Sequence, residues 1–429
     1  MEKREIRAPA GRITACLDGG LLRARGISYA HAPRWQHPRP LPARAITALG
    51  PARACPQLPI PRLDGALPGA FAGLEFHENC LDLSITAPDD ARDLPVILWL
   101  HGGSYESGAA DMAVFDPSVL VRDEGVVFVS VSYRLGVFGW LSGAGRPANL
   151  GAFDVIAALE WVARNIESFG GDPGRVTLFG QSSGGDLAAR LMLAPAAQGL
   201  FRRAIIESAP LALPLGAARM RRVMRRLAAR LAPDAALLDM LAAQERIRRG
   251  VRRFGLAGQM PFGPEFGAPP FPPEADLAAA HHAIAPEIAV MIGHLRDEAA
   301  LFLPPPEPTA RLFRRGVEPL RRAATRHLTR RLYARPARDF AARHAGAGGQ
   351  VARFVLDWGH GALGPAHLAD LPLIFPGPAW LGTPLLPGDM GLAELTQAGA
   401  PLRALWAGFA RDAAIGADQA GLIRFETRP

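Results

Sequence analysis

Lysine is almost absent from this chain of 429 residues; Lys3 is the only one, and the other basic side chains are arginines. The net charge of +8 arises in a composition rich in Ala, Arg, Gly and Pro, where Arg serves wherever a solvated cation is wanted. It therefore argues for solubility and gives no ground for a nucleic-acid partner. Cysteine is scarce too. Cys16, Cys55 and Cys80 are too few for a disulfide scaffold and fit no zinc-ligand spacing, so no metal site is expected. A Cys55–Cys80 bridge would add on the order of 3 kcal/mol by loop closure, but a reducing compartment leaves such thiols free, and free buried thiols are the favoured reading. Long apolar runs are missing: PVILWL and VVFVSVSY are far shorter than the roughly 20 residues that span a bilayer, which excludes stable membrane insertion. The opening MEKREIRAPAGRI has no apolar leader stretch, and the expected location is cytoplasmic.

What is present is enough apolar material, 49 % of residues, to bury a large core, and no internal repeat divides it. A single domain over 1–429 is the expectation. The first eighty residues are turn-rich, with Pro and Gly scattered through APRWQHPRPLP and QLPIPRLDGALPG, and read as short strands and loops. Further on, apolar strands at 94–100 and 126–133 are followed by a helix from 151 to about 168, in which Val155, Ile156, Leu159, Val162, Ile166 and Phe169 recur at helical spacing. The strand RVTLF, a helix at about 185–193 and the strand in RRAIIES continue the alternation. Strands alternating with helices predict an α/β fold, a mostly parallel central sheet with helices on both faces. Two Arg-rich helical stretches, about 210–260 and 304–350, read as lid or cap segments. In the first, Met220, Val223, Met224, Leu227 and Leu231 form an apolar stripe ringed by arginines. Such a helix is expected to pack on its own domain rather than on a membrane surface.

The stretch FGQSSGG follows RVTLF. Gly180-Gln181-Ser182-Ser183-Gly184 fits the frame Gly-x-Ser-x-Gly, in which small flanking residues permit a turn sharp enough to present one hydroxyl outward. Ser182 is the candidate nucleophile. A serine hydroxyl needs a general base, a group to orient that base, and donors for the developing oxyanion. Upstream, the strand LPVILWL runs into His101-Gly102-Gly103-Ser104, whose amides are candidate donors together with the N–H of Ser183. Asp297 and Glu298, just past the strand EIAVMIG, are both placed to act as the acid. His360 and His367, in DWGHGALGPAH, are both candidates for the base.

With these segments the sequence resembles the type B carboxylesterases, which include the cholinesterases, within the α/β-hydrolase fold. The resemblance rests on ARGISYAHAPR, HENCLDLSITAP, LPVILWLHGGSYESG, VVFVSVSYRLGVFGWL, NLGAFDVIAALEWVARNIESFGGDPGRVTLFGQSSGG, LFRRAIIES, MPFGPEFGAPPFPP and IGHLRDEAALFL, which fall in family order from about residue 22 to 303. It implies a small N-terminal antiparallel sheet beside the central one. It also implies Ser182 as nucleophile, Glu298 as triad acid and His367 as base, with Gly103, Ser104 and Ser183 as oxyanion donors. The order Ser, Glu, His is the one this fold uses. The implied activity is hydrolysis of a small-molecule carboxylic ester through an acyl-enzyme, with no cofactor. The alternatives are a non-catalytic member acting as a binding protein, or acyl transfer or amide, carbamate or lactone cleavage by the same residues. The resemblance further implies structural ion pairs Arg34–Glu78 and Arg134–Asp172, and Cys55 and Cys80 match a disulfide of secreted members.

Several positions depart from the family pattern. Gln181 stands where a Glu usually precedes the nucleophile, and the segment between Cys55 and Cys80 has no Trp to seat a quaternary ammonium, so choline esters are not expected. Ser104 replaces the third glycine of the oxyanion loop. The region from Glu298 to His367 and the C-terminal tail are shorter than usual, which predicts a more open site.

Overall fold

The computed structural model describes residues 2–143, 145–303 and 314–426. Residues 304–313 of the second expected lid segment lie outside them. Among the described residues, twelve strands form one sheet. From one edge its order is Glu2–Ala8, Gly11–Asp18, Leu21–Ser28, Asp82–Pro88, Val127–Val131, Leu94–Leu100, Gly171–Gln181, Arg203–Glu207, Ala289–Leu295, Val351–Leu356 and Ile423–Glu426, with Arg44–Thr47 paired onto Gly11–Asp18. The six strands from Val127–Val131 to Val351–Leu356 are mutually parallel. The first four strands and the last are antiparallel to their neighbours in this order, and Arg44–Thr47 is parallel to Gly11–Asp18. The N-terminal antiparallel strands thus run directly into the central sheet, and a separate two-stranded antiparallel ribbon pairs Ala30–His31 with Arg39–Pro40.

The parallel strands read as unbroken apolar runs because both faces are covered. Successive side chains of a strand point to opposite faces. Val96, Leu98 and Leu100 enter one core with Val155, Leu159 and Val162 of the helix Leu150–Asn165. Ile97 and Trp99 enter the other with Leu402, Trp406 and Phe409 of Leu392–Asp412. The same division sends Val127 and Val129 to the first core and Phe128 to the second. The Arg-rich stretch after residue 210 forms the helices Ala218–Leu227 and Leu237–Val251. Met220 and Met224 are buried against the body of the fold, as the stripe predicts, while Leu227 at its end is exposed. Arg221 on this helix is buried and donates to the carbonyls of Gly263 and Pro264. No helix among the described residues is long and apolar enough to cross a membrane.

One expected ion pair is present and one is not. Arg34 donates through Nε to Glu78 at 2.7 Å and also reaches the carbonyls of Pro233 and Ala235, tying the N-terminal region to the segment before the helix Leu237–Val251. Arg134 does not meet Asp172. It pairs with Asp154 at 2.6 and 2.8 Å, and Asp172 pairs with Arg175 at 2.7 Å. The physical reason lies in the helix: Asp154, on its first turns, is fully buried beneath Arg134 and would otherwise be an uncompensated charge. Cys55 and Cys80 are free, buried thiols in mutual contact, and the hydrogen bond to Cys55 together with burial pushes the Cys80 thiol well up.

Two expectations concern this framework. Arg134→Ala strands the Asp154 carboxylate and should cost about 3–5 kcal/mol, read as a lowered urea midpoint at pH 7. His281 bonds His344 at 3.0 Å, and burial and then the His344 charge depress its pKa to about 3. The unfolded chain therefore takes up a proton between about pH 6.5 and 3 that the native state refuses, and stability is present above this window and lost as pH falls through it. His281→Asn should reduce the loss of unfolding free energy between pH 6.5 and 4.5 by about 2–3 kcal/mol, measured by denaturant titration at each pH.

Candidate active site

The strand Gly171–Gln181 ends at Ser182, which turns with φ 57° and ψ −125° into the helix Ser183–Leu191. A left-handed φ at a non-glycine residue costs of order 1–3 kcal/mol and persists only where the surroundings over-determine it. Here they do. Ser182 N–H donates to the Glu207 carbonyl at 2.8 Å, and its own carbonyl accepts from Asp186 at 2.9 Å. The backbones around the turn cross so closely that a Cβ on Gly180 would lie 2.2 Å from the Gly184 oxygen, and one on Gly184 2.1 Å from the Leu100 oxygen. Those two glycines are therefore sterically required.

His367 and Glu298 come to this turn from loops beyond two other strands. His367 Nε2 lies 2.9 Å from Ser182 Oγ, and its Nδ1 lies 2.5 Å from Glu298 Oε2. Glu298, fully buried at the start of a short 3-10 turn, accepts a second bond on Oε1 from Leu295 N–H at 2.8 Å. Because the carboxylate can only accept, Nδ1 carries the proton and Nε2 faces the hydroxyl as an acceptor. Phe302 and Tyr333 flank the imidazole with ring centroids at 5.2 and 5.6 Å. The two rival candidates stand elsewhere: Asp297 is partly exposed and pairs with Arg296 at 3.3 Å, and His360 is exposed, edge-on to Trp358.

The segment after Leu94–Leu100 forms a tight loop beside the serine. Ser107 and Glu106 both donate to the Gly103 carbonyl, at 2.9 and 3.0 Å. The N–H groups of Gly103, Ser104 and Ser183 have no acceptor among the described residues. Ser104 and Tyr105 hold φ of 58° and 62°, so the residue replacing glycine sits in left-handed backbone. Tyr105, which sequence reasoning passed over, braces the loop: its N–H donates to Ser183 Oγ at 3.2 Å and its hydroxyl to Asp186 at 2.6 Å. His101 at the head of the loop is fully buried, stacks on Tyr133 at 4.5 Å, and donates from Nδ1 to the Gly102 carbonyl at 2.8 Å. Burial pushes its pKa down to about 4, and the imidazole is neutral above that pH.

Behind Ser182, His367 and Glu298 lies a carboxyl pair that no motif announced. Glu207 and Asp370 are buried to within 1 % exposure, and none of their four oxygens meets a protein donor. The two carboxyl groups face each other, an arrangement that a proton shared between them would satisfy. Burial pushes Glu207 well up, helped by the facing Asp370 charge, and burial raises Asp370 to about 6. The pair thus limits the negative charge beneath Glu298 near neutrality.

Ser182 opens into a cavity of about 40 Å³, room for about three waters. Its walls are apolar: Leu63, Leu67 and Phe71 come from the segment between Cys55 and Cys80, and Met112, Phe115 and Leu368 complete it. Asp64 stands at its edge. These residues come from separated segments, and no local pattern in the sequence marks them.

The carboxylesterase family model matches residues 23–312. The probable N-octanoylanthranilate hydrolase AqdA2 of Rhodococcus erythropolis is 36 % identical, covering 94 % of this chain and 92 % of its own. The para-nitrobenzyl esterase of Bacillus subtilis (strain 168) is 32 % identical over 69 % of this chain and 63 % of its own. A solved PNB esterase superposes with a TM-score of 0.78 at 25 % identity, over 98 % of this chain and 93 % of that one. By its sequence and its fold alike, the chain belongs to the carboxylesterase family and is a carboxylic ester hydrolase.

Proposed function

We propose that ester cleavage proceeds through an acyl-enzyme on Ser182. Ser182 Oγ attacks the ester carbonyl while His367 Nε2 takes its proton, and the tetrahedral oxyanion lies among the N–H groups of Gly103, Ser104 and Ser183. The intermediate collapses as the alcohol departs with the proton from His367. Water, deprotonated by the same nitrogen, then attacks the acyl carbonyl and releases the acid with Ser182 restored. Glu298 holds the imidazole in the Nδ1–H tautomer and stabilises its cation. The observation that supports this reading most is the unbroken chain from Ser182 Oγ through His367 to Glu298, at 2.9 and 2.5 Å. A binding protein has no use for such a chain, nor for three unpaired amides beside the serine. Amide cleavage is a second reading, favoured by one observation: the relative matched over 94 % of this chain is named for an N-acyl substrate.

The small apolar cavity favours short acyl groups, and its walls offer no partner to a cationic acyl chain beyond the edge carboxylate Asp64. Ser182→Ala should lower kcat/KM for p-nitrophenyl butyrate by at least about a thousandfold while the thermal midpoint is maintained, and turnover equal to wild type would discard the mechanism. Across p-nitrophenyl esters, kcat/KM should fall at least about tenfold from butyryl to decanoyl. A flat or rising profile would show that the acyl chain lies outside this cavity. N-Butyrylanthranilate cleaved with a higher kcat/KM than the butyryl ester would move the reaction class to amides.

A further inference from the structure

A second and larger cavity, of about 730 Å³, lies at the carboxyl ends of the strands Ala289–Leu295 and Val351–Leu356. Crevices at the carboxyl ends of strands are where open α/β sheets take their ligands. Its walls are the turn after Ala289–Leu295, the loop 359–365, and the helix Arg314–Thr329 where this passes into a single π-helical turn, Arg330–Ala334. It does not share a lining residue with the cavity at Ser182.

The charges on these walls do not cancel. Among the described residues that line it, Arg296, Arg321, Arg322, Arg326 and Arg330 stand against two carboxylates, Glu318 and Asp297. Glu318 is shared by Arg321 and Arg322 at 3.1 and 2.9 Å, and Arg296 is divided between Asp297 and Asp357 at 3.3 and 3.4 Å. Arg326 and Arg330, four residues apart and so on one face of the helix, have no ion-pair or hydrogen-bond partner among the described residues. The same cavity is lined by a polar group that is not a surface residue. His294 lines the cavity, is 6 % exposed, and donates from Nδ1 to the Leu295 carbonyl at 2.8 Å. Its Nε2 has no partner among the described residues.

We infer that this cavity is a phosphate site: Arg326 and Arg330 take the charged oxygens of a small dianion, and His294 Nε2 meets a further oxygen. Two planar guanidiniums match the oxygens of a phosphate in paired hydrogen bonds. An imidazole nitrogen accepts from P–OH when neutral and donates to P–O⁻ when protonated, so it serves a phosphate in either form. The ligand is inorganic phosphate, whose dianion keeps a P–OH for a neutral Nε2, or the phosphate of a small monoester, which carries one as its monoanion; a sulfate keeps no proton near neutrality to offer a neutral Nε2.

The test uses the full chain and does not involve ester turnover, so its failure is separate from a failure of the mechanism above. Inorganic phosphate and, separately, glycerol phosphate are titrated at pH 7.5 by calorimetry and by thermal unfolding, against sodium chloride and sodium sulfate at matched ionic strength. Saturable phosphate binding is expected, with a rise in thermal midpoint of about 3–5 °C near a hundredfold excess over Kd. Arg326→Ala/Arg330→Ala, both exposed and unpaired, should fold normally and bind about tenfold more weakly or worse. Arg219→Ala/Arg222→Ala, exposed on the cap, should bind as wild type. Tighter binding of the ester than of the free ion assigns the site to monoesters, and the reverse to inorganic phosphate. A response no larger than that to chloride or sulfate, or one unchanged in the Arg326/Arg330 double variant, overturns the assignment.

Discussion

The backbone at Ser182 is the constraint on which the rest of the site depends. A residue at φ 57° and ψ −125° is held there only because a strand, a helix and a neighbouring loop crowd the turn from three sides. The crowding is possible because Gly180 and Gly184 have no Cβ, and it is stiff because the two flanking strands, Leu94–Leu100 and Arg203–Glu207, pair in register with Gly171–Gln181. The strain is therefore borne by the interior of a six-strand parallel array, not by a surface loop. A hydroxyl presented this way has little freedom to rotate out of line with an imidazole.

The other members of the constellation follow from the sheet. Glu298 leaves the strand two places from that of the serine, and His367 comes from the loop beyond the next. Their meeting point is set by strand order and not by proximity in sequence. The loops are fixed to each other as well: Asp297 N–H donates to the Pro365 carbonyl at 3.0 Å, and His367 N–H to the Glu298 carbonyl at 3.3 Å. A carboxylate and an imidazole whose loops share backbone bonds move as one unit. The Glu207–Asp370 pair sits under this unit, where a full complement of negative charges would repel the carboxylate that the imidazole requires.

Much of this was legible in the sequence because it is local. The apolar runs of Leu94–Leu100 and Ala289–Leu295, the helical spacing of Val155, Leu159 and Val162, and the glycines around Ser182 each carry their structural meaning within a few residues. What stayed hidden is what the fold brings together from afar. Resemblance pointed Arg134 at Asp172, and the structure gives it Asp154, because burial of a helical carboxylate is a property of packing rather than of pattern. The choice of His367 over His360 and Glu298 over Asp297 likewise rested on resemblance, since each pair has the same chemistry in neighbouring positions. The apolar walls contributed by Leu63, Leu67 and Phe71 had no signal, for a short apolar cluster in a turn-rich stretch looks like any other.

His101 gives the amide loop a property of its own. Its ring is fully buried against Tyr133, and uncharged down to about pH 4, so the bond that fixes the Gly102 carbonyl persists unaltered above that pH. The proposed cradle for the oxyanion is in this sense blind to protons. Whatever sensitivity to acidity the hydrolase shows in weakly acidic or neutral solution must originate in the groups that exchange hydrogen ions, and the shape awaiting the transition state is the same throughout.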